Sequence, residues 1–178
     1  ASQWLEWESY NLTEDDFNRQ FTLLYAGALN DFEYVRRTTA ESADWKYYAI
    51  ATLMQAYTFQ LLADLYDEIP YSEALKGTEN LQPKYDKGED VYTSLLERID
   101  DAISKDFTLS SVKTPGAEDL VFAGNMDKWT RFANTLKLKI YMRYVNKDVN
   151  KYKTEIQALL AANKFLTEDA KITSFKAE

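Results

Sequence analysis

The sequence contains no cysteine and no histidine. The absence of cysteine excludes disulfides, thiol catalysis and thiolate metal sites. The absence of histidine excludes a Ser-His-Asp triad and an imidazole zinc site. Any acid–base chemistry would therefore depend on carboxylates, lysine or tyrosine.

Long apolar segments are also missing. No run of about 18 apolar residues occurs, so no segment is expected to cross a bilayer as a helix. No signal-peptide pattern is present, and the chain begins at Ala1 without a methionine. We therefore expect a mature, processed or truncated product.

Positive charge is outnumbered, with 21 basic against 29 acidic residues and a net charge of −8. This balance repels phosphate backbones, and no cluster of Lys and Arg offsets it, so no nucleic-acid partner is expected. Aromatic residues are abundant at 15%, and 13 of them are Tyr. Tyr and Trp suit sugar platforms and interfaces, but most of them are expected to pack helices together.

Apolar residues recur at helical spacing along most of the chain. Thr13 and Asp16 form a variant of the capping box that starts the first predicted helix. Val121–Phe122 and Ile172–Phe175 are the only segments that suggest short extended pieces. Loops are predicted over 67–88, the stretch richest in Pro and Gly, and over 106–125. The predicted helices cover 13–37, 43–66, 89–105, 126–145 and 149–162.

The second predicted helix has no charged residue between Lys46 and Asp64. A helix that is apolar nearly all round is buried on several sides, which predicts a central position. The fold class is therefore all-α, with antiparallel helical hairpins stacked in a tetratricopeptide-like arrangement. Residues 1–178 are expected to form a single all-helical domain.

Three motifs resemble SusD/RagB-type proteins. Residues 64–75, DLYDEIPYSEAL, resemble the family signature D-x-Y-G-D-I-P-Y-S-E-A-L. Residues 83–96 contain PKYD, VY and LL in the order P-K-Y-D…V-Y…L-L. Residues 128–139, KWTRFANTLKLK, are similar to K-W-x-K-F-A-N-S-L-K-L-R. The motifs occur in family order, and together they are specific.

The resemblance implies the N-terminal, helical part of a longer nutrient-binding lipoprotein on the bacterial cell surface. It implies an outer-membrane location, through an N-terminal lipid on the precursor that this chain lacks. It also implies a SusC-like TonB-dependent transporter as partner, an oligosaccharide or peptide as ligand, and no cofactor. The expected function is non-catalytic capture of a glycan or peptide for uptake. The alternative is a helical scaffold that binds proteins and no small ligand.

The chain departs from the first motif at two neighbouring positions and from the third motif at one position. Asp67 replaces the family glycine, Glu68 replaces the following Asp, and Thr135 replaces a Ser. If the glycine normally has positive φ, Asp is one of the few residues that tolerates that conformation.

The motif residues are predicted to be structural. Pro70 should stop the long helix, with Tyr66 and Tyr71 burying rings on either side. Asp64 is expected to accept hydrogen bonds from loop N–H groups. The full set of predicted structural residues is Asp64, Tyr66, Pro70, Tyr71, Glu73, Trp129, Phe132 and Asn134.

An enzymatic interpretation rests on the carboxylates of Asp64, Asp67, Glu68 and Glu73. Two such groups could act on a glycosidic bond, but no shaped sugar site accompanies them, so no catalytic residue is assigned. The segment that begins at Asp86 does not fit a 12-residue calcium loop, and no metal site is predicted.

Ligand contact is expected in the first dozen residues, where Trp4, Trp7, Tyr10 and Asn11 cluster. Aromatic rings stack on the C–H faces of sugars, and an amide pairs with sugar hydroxyls. The alternative is that this segment folds its aromatic rings onto the helices. Trp45, near the start of the second helix, is a further candidate.

Overall fold

The computed structural model describes residues 9, 18–109 and 113–172. Helices α1 (Asn18–Leu23) and α2 (Asn30–Glu41) flank a π-helical segment, Leu24–Leu29. Four more helices follow: α3 (Trp45–Tyr66), α4 (Gly88–Ser104), α5 (Met126–Tyr144) and α6 (Lys153–Ala162). Thr13 and Asp16, the predicted capping box, lie outside the described residues.

Helix α3 is the central helix, as its charge-free sequence predicted. It contacts α2, α4, α5 and the π-helical segment. Leu53, Phe59 and Leu62 on this helix are fully buried and form the middle of the main apolar core. Successive helices along the chain pack against one another, which agrees with stacked hairpins. The all-α prediction is confirmed.

The end of α3 is set by its backbone. Asp67 has φ of 62°, and its N–H donates to the carbonyl of Ala63 at 3.0 Å, which terminates the helix. Asp67 therefore has positive φ at the position where the family motif has glycine. The first turn of α4 approaches closely here, because a Cβ on Gly88 would lie 2.9 Å from the carbonyl oxygen of Asp67.

The loop between α3 and α4 contains a short antiparallel ladder that the sequence analysis missed. Strands β1 (Ile69–Pro70) and β2 (Tyr85–Asp86) pair, with Ile69 opposite Asp86. Two-residue strands are too short to produce an alternating pattern. The expected extended piece at Val121–Phe122 is wrong, since these residues lie in turns. The other, Ile172–Phe175, extends beyond the described residues.

The π-helical segment is tied to the Ile-Pro-Tyr corner by Tyr25. Its hydroxyl donates to the carbonyl of Pro70 at 2.6 Å. Its ring also meets that of Phe59 edge-on, with the centroids 6.1 Å apart. The π-helical segment is thereby fixed to the loop that follows α3.

The loop before α5 is organised by one carboxylate. Asp119 accepts hydrogen bonds from the N–H groups of Val121, Phe122 and Gly124, at 3.1, 3.2 and 2.8 Å. The indole Nε1–H of Trp129 donates to the same carboxylate at 2.7 Å. Although burial opposes ionisation, these hydrogen bonds lower the pKa of Asp119.

No helix in the described part of the chain combines the length and apolarity that crossing a bilayer requires.

Candidate ligand-binding cleft

The residues predicted to contact ligand fall into two groups. Trp4, Trp7, Tyr10 and Asn11 lie outside the described residues. Trp45 is partly buried at the start of α3, and its ring meets Tyr48 edge-on at 5.7 Å. The ammonium of Lys105 lies 5.2 Å from the centre of the Trp45 ring. The contacts of Trp45 are therefore those of a ring packed between α3 and α4.

Asp64 has a different set of partners from the one expected. Loop N–H groups are not among its hydrogen-bond donors in the described residues; the donors are the side chains of Gln60, Tyr92 and Arg143. Burial opposes ionisation of Asp64, but the hydrogen bonds from Arg143 and Tyr92 outweigh it and lower its pKa. The motif carboxylate thus joins α3, α4 and α5.

The residues around the Ile-Pro-Tyr corner are buried to different extents. The predicted burial of Tyr66 is wrong, since this residue is 37% exposed, although its ring meets Phe21 edge-on at 5.3 Å. Pro70 is buried. The ring of Tyr71 meets Phe59 edge-on at 4.8 Å.

Two of the carboxylates considered for glycosidase chemistry, Asp64 and Glu73, are each bound by different groups of the protein. Asp64 is paired with Arg143, as described above. Glu73 accepts hydrogen bonds from the backbone N–H of Lys84 at 3.2 Å and from the amide of Asn80 at 3.3 Å, which closes the loop between the strands. In the described residues, no group of acidic side chains is arranged to hold a metal ion.

The third motif lies on α5. Trp129 is only 1% exposed, and Phe132 packs against it with ring centres 5.4 Å apart. The side-chain amide of Asn134 donates to the carbonyl of Lys164 at 3.0 Å. The Asn134 hydrogen bond connects α5 to the segment after α6.

A concave surface lies between α2 and the loop after α3. Two adjoining cavities of about 590 and 450 Å³ share the side chains of Glu33, Arg37, Leu75 and Lys76. We call this combined space the α2 cleft. Leu75 on its edge has φ of 61°, a strained conformation for a residue other than glycine.

The floor of the smaller cavity is formed by α3, α4 and the corner loop. Phe59, Tyr71, Ser94 and Arg98 line it. The hydroxyls of Tyr71 and Ser94 share a hydrogen bond of 3.0 Å. The guanidinium carbon of Arg98 lies 5.2 Å from the centre of the Tyr71 ring, a cation–π distance.

A buried polar network supports this floor. Gln55 is fully buried, and its amide N–H₂ donates to Glu33 at 3.0 Å. Its amide oxygen accepts from Arg98 at 2.9 Å. Arg36 binds Glu33 through two N–H groups, at 2.7 and 2.9 Å. Burial opposes ionisation of Glu33, but the hydrogen bonds from Arg36 and Gln55 lower its pKa.

Sequence reasoning missed this network. The signal that could have indicated it is the presence of uncharged polar residues such as Gln55 on a helix that is otherwise apolar. A buried amide requires partners, so it predicts polar groups on the neighbouring helices. Which groups those are depends on residues 22 positions earlier and 43 positions later in the chain.

Comparison with known proteins identifies the family. A SusD-like family model, described as starch-binding and associating with the outer membrane, matches residues 1–177. No curated protein is significantly similar to the chain.

Several solved structures have a similar fold. A SusD homologue from Parabacteroides distasonis is 25% identical, with a TM-score of 0.75 over 89% of this chain and 31% of its own. A protein described as chitin-binding is 26% identical, with a TM-score of 0.75 over 88% of this chain and 33% of its own. A chitin-binding SusD homologue from Flavobacterium johnsoniae is 25% identical, with a TM-score of 0.68 over 80% of this chain and 30% of its own.

The chain spans about a third of the length of these structures. The family match covers nearly all of it, and the fold agrees over most of it. The resemblance seen in the three sequence motifs is thereby confirmed: the chain belongs to the SusD-like family of outer-membrane-associated, starch-binding proteins.

Proposed function

We propose that this chain is the N-terminal helical part of a non-catalytic glycan-capture protein at the bacterial outer membrane. The observation that carries the proposal is the match to a starch-binding family over residues 1–177. Two structural relatives are described as chitin-binding, which supports a glycan as the ligand. The α2 cleft, with its hydroxyl groups and aromatic floor, offers a surface of suitable chemistry.

The complete protein is proposed to be lipid-anchored and to deliver its ligand to a SusC-like TonB-dependent transporter. The chain spans about a third of its structural relatives, which supports a longer protein of which this is one part. The stacked helices provide a rigid scaffold on which capture loops and a transporter contact could both be built.

Isothermal titration calorimetry of the intact chain with starch-derived and chitin-derived oligosaccharides and with peptides tests the proposal. Binding of at least one oligosaccharide is expected. Loss of the heat in Trp7→Ala would assign it to the N-terminal aromatic residues, and loss in Tyr71→Ala would assign it to the α2 cleft. No binding across the panel, with a transporter still captured, would favour the helical scaffold instead.

Catalysis is tested separately, by assaying release of reducing sugar from the same oligosaccharides. No release is expected. Release that disappears in Glu68→Gln would contradict the non-catalytic assignment.

A further inference from the structure

The smaller cavity of the α2 cleft has a charge opposite to that of the chain as a whole. The chain carries a net charge of −8. The smaller cavity of the cleft is nevertheless lined by four cationic side chains and two carboxylates: Arg36, Arg37, Lys76 and Arg98 against Glu33 and Glu79. Cavity walls of low dielectric concentrate such a field and favour an anionic ligand.

The carboxylate of Glu33 is already occupied. Both of its oxygens accept hydrogen bonds from Arg36, and one also accepts from Gln55. Its charge is therefore compensated within the protein. Arg37, Lys76 and Arg98 have no carboxylate within 4.0 Å among the described residues, which leaves three cations facing Glu79.

Arg98 is the cation best placed to bind a ligand. It is partly buried, and a guanidinium has five N–H donors, of which one is engaged by Gln55 at 2.9 Å. Glu33, the carboxylate with which Arg98 interacts electrostatically, is already bound by Arg36, whereas a ligand carboxylate could accept two parallel hydrogen bonds from Arg98.

The orientation of Arg98 is fixed before any ligand arrives. Gln55 donates to Glu33 with its nitrogen and accepts from Arg98 with its oxygen, so the Glu33–Arg36 pair determines which way the amide faces. The Tyr71 ring holds the other side of the guanidinium. Donors fixed in this way bind an anion with little loss of side-chain entropy.

The remaining lining suits a sugar. The hydroxyls of Ser94 and Tyr71 line the same cavity as Arg98 and can exchange hydrogen bonds with sugar hydroxyls. The adjoining cavity is acidic, because Asp31 and Glu41 line it. An oligosaccharide with a single acidic residue therefore fits the cleft better than one that is charged at every residue.

We infer that the α2 cleft binds an acidic oligosaccharide, with the carboxylate of a uronic acid on Arg98 and neutral sugars along α2. This inference rests on the proposed function and names its substrate class. Arg37 and Lys76 attract the anion to the cleft entrance, and Ser94 and Tyr71 contact the sugar hydroxyls.

Calorimetry of the intact chain tests the inference with a matched pair of probes. One is a xylo-oligosaccharide that carries one glucuronic acid, and the other is the neutral xylo-oligosaccharide of equal length. The acidic probe is expected to bind about 10- to 100-fold more tightly, the range for charge-assisted hydrogen bonds. Raising the salt concentration should reduce the difference.

Arg98→Gln is expected to abolish the preference for the acidic probe. Arg131→Gln is the matched control, because Arg131 pairs with the exposed Asp127 on α5 and does not line the cleft. Circular dichroism checks the fold of both variants. If Arg98→Gln does not fold, Lys76→Gln at the exposed edge provides the second test, with an expected weakening of about threefold.

Equal affinity for the two probes, or acidic binding that survives Arg98→Gln, would overturn the inference and leave the proposed function intact. An acidic peptide that binds the cleft more tightly than the acidic sugar would overturn the assignment to glycans. Binding of no oligosaccharide at all would contradict both the inference and the proposed function.

Discussion

The carboxylate of Asp64, near the end of α3, is held by the guanidinium of Arg143 on α5, with Nε donating to Oδ1 at 2.9 Å and Nη2 donating to Oδ2. Tyr92 on α4 donates to the same carboxylate. The two charged residues are 79 positions apart in the chain. One acidic residue of the corner motif thus connects three helices.

Arg143→Met is expected to lower the free energy of unfolding by about 1–2 kcal/mol, because it leaves a carboxylate that is largely buried without its counter-charge. The Asp64 side chain is 13% exposed and that of Arg143 is 47% exposed, so solvent screens part of the effect. Urea denaturation measures the change. Lys128→Met, which removes an exposed pair with Glu168, is the control and should cost less than about 0.5 kcal/mol. Equal losses in the two variants would contradict the connecting role of Asp64.

Stability should fall in acid because the folded state lowers the pKa of both Asp64 and Glu33. Their stabilisation is present above the ordinary values of 3.8 and 4.5 and is lost as pH falls through the lower folded values. Urea midpoints measured from about pH 6 to about pH 3 should therefore decrease. The decrease should be smaller in Arg143→Met, in which the pKa of Asp64 is closer to its ordinary value. An identical acid dependence in the variant and the original chain would exclude this origin.

Gly124→Ala is expected to be among the most destabilising single substitutions in the chain. Gly124 has φ of +77°, and a Cβ there would lie 1.9 Å from the backbone carbonyl oxygen of Pro115. The backbone has to move, which also disturbs the Asp119 hydrogen bonds, so a loss of about 3 kcal/mol or more is expected. Gly27→Ala is the matched control: a Cβ there would meet nothing within 4 Å beyond its chain neighbours and its own helix backbone, and the change should stay within about 1 kcal/mol. The loss of stability in each variant is measured by thermal unfolding. Equal losses in the two variants would contradict the prediction.

Features that the sequence predicted correctly are those that local pattern determines. The charge-free stretch between Lys46 and Asp64 indicated the central helix. Pro70 was expected to stop this helix, but Asp67 terminates it three residues earlier. Helical spacing indicated a core position for Trp129, which is buried. Asp67 adopts positive φ where the motif has glycine, as the substitution suggested.

Features that sequence reasoning missed are those that depend on distant pairing. The β1–β2 ladder has two residues in each strand, and its register is set by the fold around it. Arg98 meets Gln55 across 43 positions, and Trp129 meets Asp119 through a loop without regular periodicity. Hydrophobic periodicity does not indicate which distant side chains pair with one another. The α2 cleft could therefore not be located from the sequence.

Tyr25→Phe tests the connection between the π-helical segment and the corner motif. The Tyr25 hydroxyl donates to the Pro70 carbonyl at 2.6 Å, and burial raises its pKa, so it remains a donor throughout the ordinary pH range. Removing it should cost about 1–2 kcal/mol and accelerate amide hydrogen exchange at Ile69 and Asp86, which face each other in the ladder. Tyr34→Phe is the control, because this ring is 73% exposed and its loss of a hydroxyl should change stability by less than about 0.5 kcal/mol. Unchanged amide exchange at Ile69 and Asp86 in Tyr25→Phe would show that the corner motif does not depend on the hydrogen bond from the π-helical segment.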